Sequence, residues 1–435
     1  MSIFLILLAC ISLIFLGKSM FGKWFNHVSL YSTVWGGSLV FFELKLVNYY
    51  PLELETWIVI GAAWIFFLLG SITVVVARFA LKGKTPLLEY RIESTVLEKE
   101  LKQIKTILWV FNIVSLIVAI HNLYLVSKLF GGLTNAFILG NLLYKVNVSE
   151  GLRGSIPFFS SLVFPAIMLA GSYTEQKGKI TLVSVVPLIV VIMLDIAKMG
   201  RADIIMGVML FMCGYFLTSK QKSLYHKKPT LMRHKYAILF VFVAIAVSGG
   251  EFIRSTRKAQ EGFIGTTEKL QRLSTVSFIT PSIYLYVSSH PAILNQYLKH
   301  GGEKTPFGGH TFNPFYRWLE KLGLEIHADP FQVWYKTPVI LNTGTYLREL
   351  HGDFGMTGLL LGPYFLGFLA SIFWYRVKDY GKYRDLSIVA FLYVIIGMSF
   401  FMMATRLGEL IIYLVAAIII GSILDRRLNK IRTVN

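Results

Sequence analysis

Apolar runs as long as a bilayer is thick constrain this chain more than any other feature. "IFLILLACISLIFLG", "WIVIGAAWIFFLLGSITVVVA", "ITLVSVVPLIVVIML" and "ELIIYLVAAIIIGSIL" recur along its 435 residues. Each crosses, or nearly crosses, a hydrocarbon core that needs roughly 20 apolar residues. Charged residues make up 15% of the chain, against about 25% in soluble domains, so much of its surface must face something other than water. The chain reads as an all-α polytopic membrane protein. Its opening run has no small-residue cleavage site and reads as a retained helix, not a signal peptide.

Hydropathy places about 11 transmembrane helices, at 2–17, 29–49, 57–80, 106–129, 156–174, 180–198, 202–218, 235–253, 356–375, 385–404 and 409–425. Alternate loops then separate by charge. One set carries clusters such as Lys82, Lys84, Arg91, Lys99, Lys102 and Lys105, or Arg426, Arg427, Lys430 and Arg432. The short loops of the other set hold only Lys145, Arg153, Arg201 and Arg406. Positive charge stays on the cytoplasmic side, so the expected topology has the N-terminus outside and the C-terminus in the cytoplasm. The net charge of +19 is thereby accounted for as a topology signal, with no nucleic acid required.

Three parts follow in order: an N-terminal bundle of about eight spans (1–253), a long extracytoplasmic loop (254–355) and a C-terminal bundle of about three spans (356–435). Inside the loop, "PSIYLYVSSHPAILNQYLKH" is amphipathic enough to lie along the membrane interface. A hundred-residue loop with no function of its own is uncommon. Cys10 and Cys213 both lie in apolar runs, far apart in sequence. They suggest neither a disulfide framework nor a metal site.

Against that background the outer-face arginines stand out. Arg201, Arg254, Arg257, Arg348 and Arg406 all fall at helix ends on the expected outer side, where charge near the bilayer costs free energy and usually has a partner. Helical spacing offers ordinary partners: Glu251 for Arg254, Asp195 for Lys198 and Glu409 for Arg406. Taken together, the arginines suit an anion site, because a planar guanidinium matches phosphate. The loop adds His290, His300, His310, His327 and His351 with Glu303, Glu325, Asp329 and Asp353. Any of these histidines is able in principle to take a proton near neutral pH, although most loop histidines are simply solvated. His351, beside Asp353, and His310, in a Gly-rich turn before an aromatic cluster, are favoured. That cluster suits either stacking on sugars or an interfacial belt.

No Gly-Lys-Ser/Thr phosphate loop is present, no Asp-x-Asp occurs, and no His/Cys cluster has metal-ligand spacing. Glu53 and Glu55 are the nearest acidic pair. No cofactor is expected.

"PFGGHTFNPFYRWLEKLGL", "NTGTYLRELHGDFGMTG" running into a hydrophobic helix, and "MGRADIIM" together resemble Wzy-type oligosaccharide repeat-unit polymerases, the O-antigen and capsule polymerases. The most specific element is T-x-L-R…DFG-x-x-G, from Thr345 to Gly358. The resemblance implies a GT-C-like glycosyltransferase in the cytoplasmic membrane, with its active site on the extracytoplasmic face. Such an enzyme moves a growing glycan from a polyprenyl diphosphate carrier onto a hydroxyl of the next lipid-linked unit, without nucleotide and without metal. Its implied partners are polyprenyl-diphosphate-linked oligosaccharides and the lipid bilayer, with a chain-length regulator and a flippase beside it. The related O-antigen ligases carry a His-Asn pair where this chain reads Asn342-Thr343-Gly344-Thr345, so the ligase histidine is not matched.

Under this reading Arg201, Arg254, Arg257, Arg348 and Arg406 bind the diphosphate. His351, Asp353 or His310 accepts the hydroxyl proton, and Thr343, Thr345 and Tyr346 contact substrate. Three alternatives share parts of the sequence evidence. A flippase would use mid-membrane polar groups such as Glu43, Lys45, His121 and Asp195. A ligase-like transferase would use another acceptor, and a metal-dependent enzyme would be built on Glu53 and Glu55.

Overall fold

The structure, a computed structural model, describes residues 3–81, 94–149, 154–218, 265–276, 280–303, 305–324 and 332–433. The expected span at 235–253, with Arg153, Glu251, Arg254, Arg257, Glu325, His327 and Asp329, lies outside the described residues. In chain order the helices are α1 (Ile3–Phe21), α2 (His27–Glu43), α3 (Leu54–Leu81), α4 (Ser94–Phe130), α5 (Leu133–Ile138), α6 (Gly140–Ser149), α7 (Pro157–Ser160), α8 (Val163–Lys177), α9 (Leu182–Lys198), α10 (Ala202–Leu217), α11 (Glu268–Val276), α12 (Pro281–Ser288), α13 (His290–Lys299), α14 (Asn313–Lys321), α15 (Tyr346–Tyr380), α16 (Tyr383–Met398) and α17 (Gly408–Thr433). A 3-10 turn spans Ala404–Arg406. One small ribbon interrupts the helices: β1 (Tyr335–Lys336) pairs antiparallel with β2 (Ile340–Leu341), with Tyr335 opposite Leu341.

Among the described residues, five helices are long and apolar enough to cross a membrane: Ile3–Phe21, Leu54–Leu81, Leu97–Phe130, Tyr346–Tyr380 and Gly408–Lys430. The fold class is therefore the α-helical one expected.

The chain divides into two compact units, and the division is not the linear one expected at 253 and 355. One unit comprises Met1–Lys84, Gln260–Ile372 and Leu392–Gly408; the other comprises Thr85–Ala259, Phe373–Phe391 and Glu409–Asn435. In the first unit, α12 and α13 do not lie on a surface as their amphipathic reading suggested. Every side chain from His290 to Tyr297 is buried, and the two helices pack on α2 and α3. Their polar residues meet partners instead of water. Ser38 Oγ donates to the Val287 carbonyl at 2.8 Å, Tyr49 and Ser288 share a hydroxyl bond at 2.7 Å, and Thr56 Oγ1 donates to Asn295 Oδ1 at 2.8 Å. A buried polar group costs free energy only when it is left unpaired.

Small residues bring α3 and α15 close. A Cβ on Gly70 would run into the Tyr364 carbonyl, and one on Gly367 into that of Phe67. This is the packing that replaces hydrophobic drive in lipid. In the second unit Gly171 and Gly214 do the same for α8 and α10, against the carbonyls of Phe211 and Met168.

The second unit also corrects a pairing. Lys198 reaches Asp203 at 2.8 Å and Glu409 at 2.9 Å, not Asp195 one turn back. Met199 turns left-handed (φ 52°) to end α9. Asp195 Oδ2 instead accepts the Ile204 N–H at 2.8 Å, satisfying a donor in the first turn of α10.

Helix α15 is two helices joined at Gly355, whose backbone (φ 64°, ψ −152°) is not helical. Only glycine adopts that region readily, and other residues there cost about 1–3 kcal/mol. A Cβ at Gly355 would meet nothing within 4 Å, so the cost is purely backbone strain. Gly355→Ala is expected to lower stability by about that amount, read as a fall in the thermal unfolding midpoint in detergent.

Candidate active site

The first half of α15, before the Gly355 break, carries most of the chemistry. Thr345 starts it: its hydroxyl faces the Arg348 N–H at 3.4 Å, an N-cap arrangement. The Tyr346 N–H donates to the Ser399 carbonyl at 3.0 Å, tying the start of α15 to the end of α16. Tyr346 is buried, its hydroxyl 2.9 Å from that of Tyr31. Thr345 and Tyr346 are therefore parts of the scaffold. This corrects their expected role in substrate contact, which of the three hydroxyls leaves only the exposed Thr343.

Arg348 is 2% exposed and fully engaged. One end of its fork donates to Glu303 Oε1 at 2.6 Å and to the Val333 carbonyl at 2.9 Å. The other donates to the Asn342 carbonyl at 2.9 Å and approaches Gln332 Oε1 at 3.4 Å. The rings of Tyr335 and Tyr297 lie 5.0 and 5.5 Å from its guanidinium carbon, close enough for a cation–π contribution. Tyr335, projected by the β1–β2 ribbon, also donates to Glu303 at 2.7 Å. Arg348 thus fastens the loop carrying Glu303, the ribbon and α15 together. Its expected role as a diphosphate ligand is corrected to positioning, because both ends of its fork are already spent inside the protein.

Glu349, the next residue, is wholly buried. It accepts from Arg406 Nη1 at 2.5 Å and from the Met403 N–H. A carboxylate in the first turn of a helix also suits the helix dipole. Arg406 is 11% exposed.

The three expected proton acceptors separate clearly. Asp353 is buried and already accepts from Thr305 Oγ1 at 2.8 Å, the His310 N–H at 2.9 Å, and the Thr311 N–H and hydroxyl at 2.7 Å each. It caps the Gly-rich turn, and the expectation that it receives a substrate proton is corrected for that reason. His310 is buried in the same turn, where burial holds its ring below the ordinary histidine range; Glu349 opposes this and Arg406 adds to it. His351 is half-buried, with Nδ1 2.7 Å from the Tyr297 hydroxyl. Burial pushes the Tyr297 phenol up to about 12, which keeps it a neutral hydroxyl whose oxygen can accept from Nδ1–H and leave Nε2 the unprotonated nitrogen. His351 is thus the histidine of this group that has both an orienting partner and an accessible ring.

Of the other arginines, Arg201 sits at the N-terminus of α10 in the second unit. Arg254 and Arg257 are outside the described residues. Glu53 is salt-bridged to Lys299 at 3.1 Å, and among the described residues no group of three or more His, Cys, Asp or Glu is placed to hold a metal ion. In the sequence Glu303 stands only among the loop's ionisable groups, and nothing singles out Glu349, Tyr297 or Tyr335. Glu303 lies 45 positions from Arg348 and Glu349 lies 57 from Arg406, so no local spacing signals either pair.

His290 behaves differently from the rest. Its Nδ1 is 2.9 Å from the Thr343 carbonyl and its Nε2 is 2.6 Å from that of Tyr286. A neutral ring has one N–H to give, yet burial outweighs the pull of both carbonyls and brings His290 down to about 4. A folded value below the unfolded one means that the unfolded chain takes up the proton first. The stability this ring contributes is therefore complete above about pH 6.5. It is lost as pH falls toward 4, at up to roughly 1.4 kcal/mol per unit. Unfolding midpoints measured from pH 7 to 4.5 should fall, and should fall less steeply in His290→Asn.

Comparison with family models, with curated proteins and with solved structures returns no match.

Proposed function

We propose that this protein is a membrane glycosyltransferase that polymerises polyprenyl-diphosphate-linked oligosaccharide repeat units at the outer face of the cytoplasmic membrane. The observation that carries the reading is the His351–Tyr297 pair, set beside two buried ion pairs at the start of a helix apolar enough to cross a membrane. A base oriented by a second group, next to buried cations at a membrane threshold, suits attack by a sugar hydroxyl on a lipid-linked donor. The motif resemblance from Thr345 to Gly358 covers the same half-helix and the Gly355 break that ends it.

In this scheme the acceptor hydroxyl attacks the anomeric carbon of the donor glycan. With its Nδ1–H donated to the Tyr297 hydroxyl, His351 takes the acceptor's proton at Nε2, the new glycosidic bond forms, and the bond to the carrier breaks with departure of the polyprenyl diphosphate. Tyr297 orients the imidazole and Arg348 positions the half-helix. The diphosphate charge is met in this scheme by Arg406, 11% exposed beside the half-helix. On the topology expected from the sequence, with the N-terminus outside, these groups belong to the extracytoplasmic side.

The test is purified protein with a lipid-linked repeat unit, no nucleotide, and EDTA present, read on a gel. A ladder is expected, and His351→Gln should lose it while keeping the wild-type unfolding midpoint. One added unit and no ladder would make the enzyme a ligase-like transferase instead. Full activity in His351→Gln would remove the base from this scheme.

A further inference from the structure

Helix α14 turns its apolar side chains outward. Phe312, Phe315, Trp318, Leu319 and Leu322 recur at helical spacing and occupy one arc of about 120°, while Arg317, Glu320 and Lys321 lie on the other side. Phe312, Phe315 and Trp318 are 45%, 44% and 43% exposed, and Leu322 is 79% exposed. The helix is nonetheless firmly seated. Asn313 and Pro314 are buried beneath it, and the Tyr316 hydroxyl donates to the Phe307 carbonyl at 2.6 Å.

Its place identifies what covers the stripe. α14 packs on the Ala404–Arg406 turn, and Pro314 lies against Gly408, where a Cβ would sit 4.0 Å from the proline's own. Gly408 is the first residue of a helix apolar enough to cross a membrane, and the start of such a helix is where headgroups are expected to give way to hydrocarbon. A nine-residue helix is only about 14 Å long, too short to span. Aromatic and aliphatic residues on one side with Arg and Lys on the other are what a helix lying in the headgroup layer presents.

We propose that α14 is an interfacial anchor whose Phe312–Leu322 stripe is immersed in the bilayer surface. It holds the Gly308–Thr311 turn, and with it the Asp353 cap, at a fixed height above the hydrocarbon. This placement is independent of the reaction proposed above.

Cysteine introduced at Leu319 or Leu322 on the stripe, and at Arg317 opposite it, gives three labelling sites. The chain's own Cys10 and Cys213 are buried and do not compete. Each variant, carrying a small fluorophore, is placed in phosphatidylethanolamine/phosphatidylglycerol nanodiscs with and without lipid spin-labelled high on the acyl chain. Quenching at both stripe positions should exceed that at position 317 by on the order of twofold, as expected for a face immersed about 5–10 Å deep. Equal quenching on the two faces overturns the proposal. So does a stripe untouched by the lipid quencher but shielded by added oligosaccharide, which would make the aromatics a sugar platform.

Discussion

Arg348→Ala will lose about 3–5 kcal/mol of stability, the usual cost of breaking a buried ion pair from one side, and polymer formation with it. The size follows from what is stranded. Glu303 keeps only the Tyr335 hydroxyl of its two charged or polar donors, while the Val333 and Asn342 carbonyls lose theirs. Arg348→Lys should recover little, since a compact ammonium cannot serve both ends of a fork that reaches Glu303 and Asn342 at once. Glu303→Gln, which keeps an acceptor beside Tyr335 and Arg348, should cost less than either. Unfolding midpoints in detergent read the first effect and the gel ladder reads the second. A loss below about 1 kcal/mol for Arg348→Ala would place the pair with solvent-exposed bridges and remove its positioning role.

The second large effect belongs to Glu349 and Arg406. Either single alanine leaves a buried or nearly buried charge alone, at a cost again near 3–5 kcal/mol. Replacing both with methionine removes the two charges together, and the double variant should be more stable than either single one. Stability and chemistry then separate. If Arg406 also meets diphosphate, the double variant will be folded and inactive. A double variant that still builds a ladder would confine Arg406 to the fold.

Hydropathy found the five long apolar helices because a lipid-facing segment must be apolar along its whole length, and that property survives without any knowledge of neighbours. It placed the start of one span at 356, and the structure breaks α15 at Gly355. The same logic read 281–300 as a segment lying along the membrane interface, whereas Ser288 and Asn295 are buried and bonded within the protein. Their partners, Tyr49 and Thr56, are some 240 residues earlier in the chain. The site was legible as a crowd of ionisable groups around Arg348, but not as an arrangement. What separates His351 from Asp353 is that the carboxylate is consumed by a turn at 305–311, a contact no spacing rule anticipates.

The parts of this site cannot be exchanged singly. Glu303 and Arg348 come from one stretch of a unit and Arg406 from another, since the chain departs from that unit after Ile372 and re-enters it at Leu392. A chimera with its crossover between 303 and 348 would unite a carboxylate from one parent with a guanidinium from another. One joined between 349 and 406 would do the same to the second pair. Viable recombinants of related sequences should therefore inherit 303–406 as a block, with their junctions falling outside it.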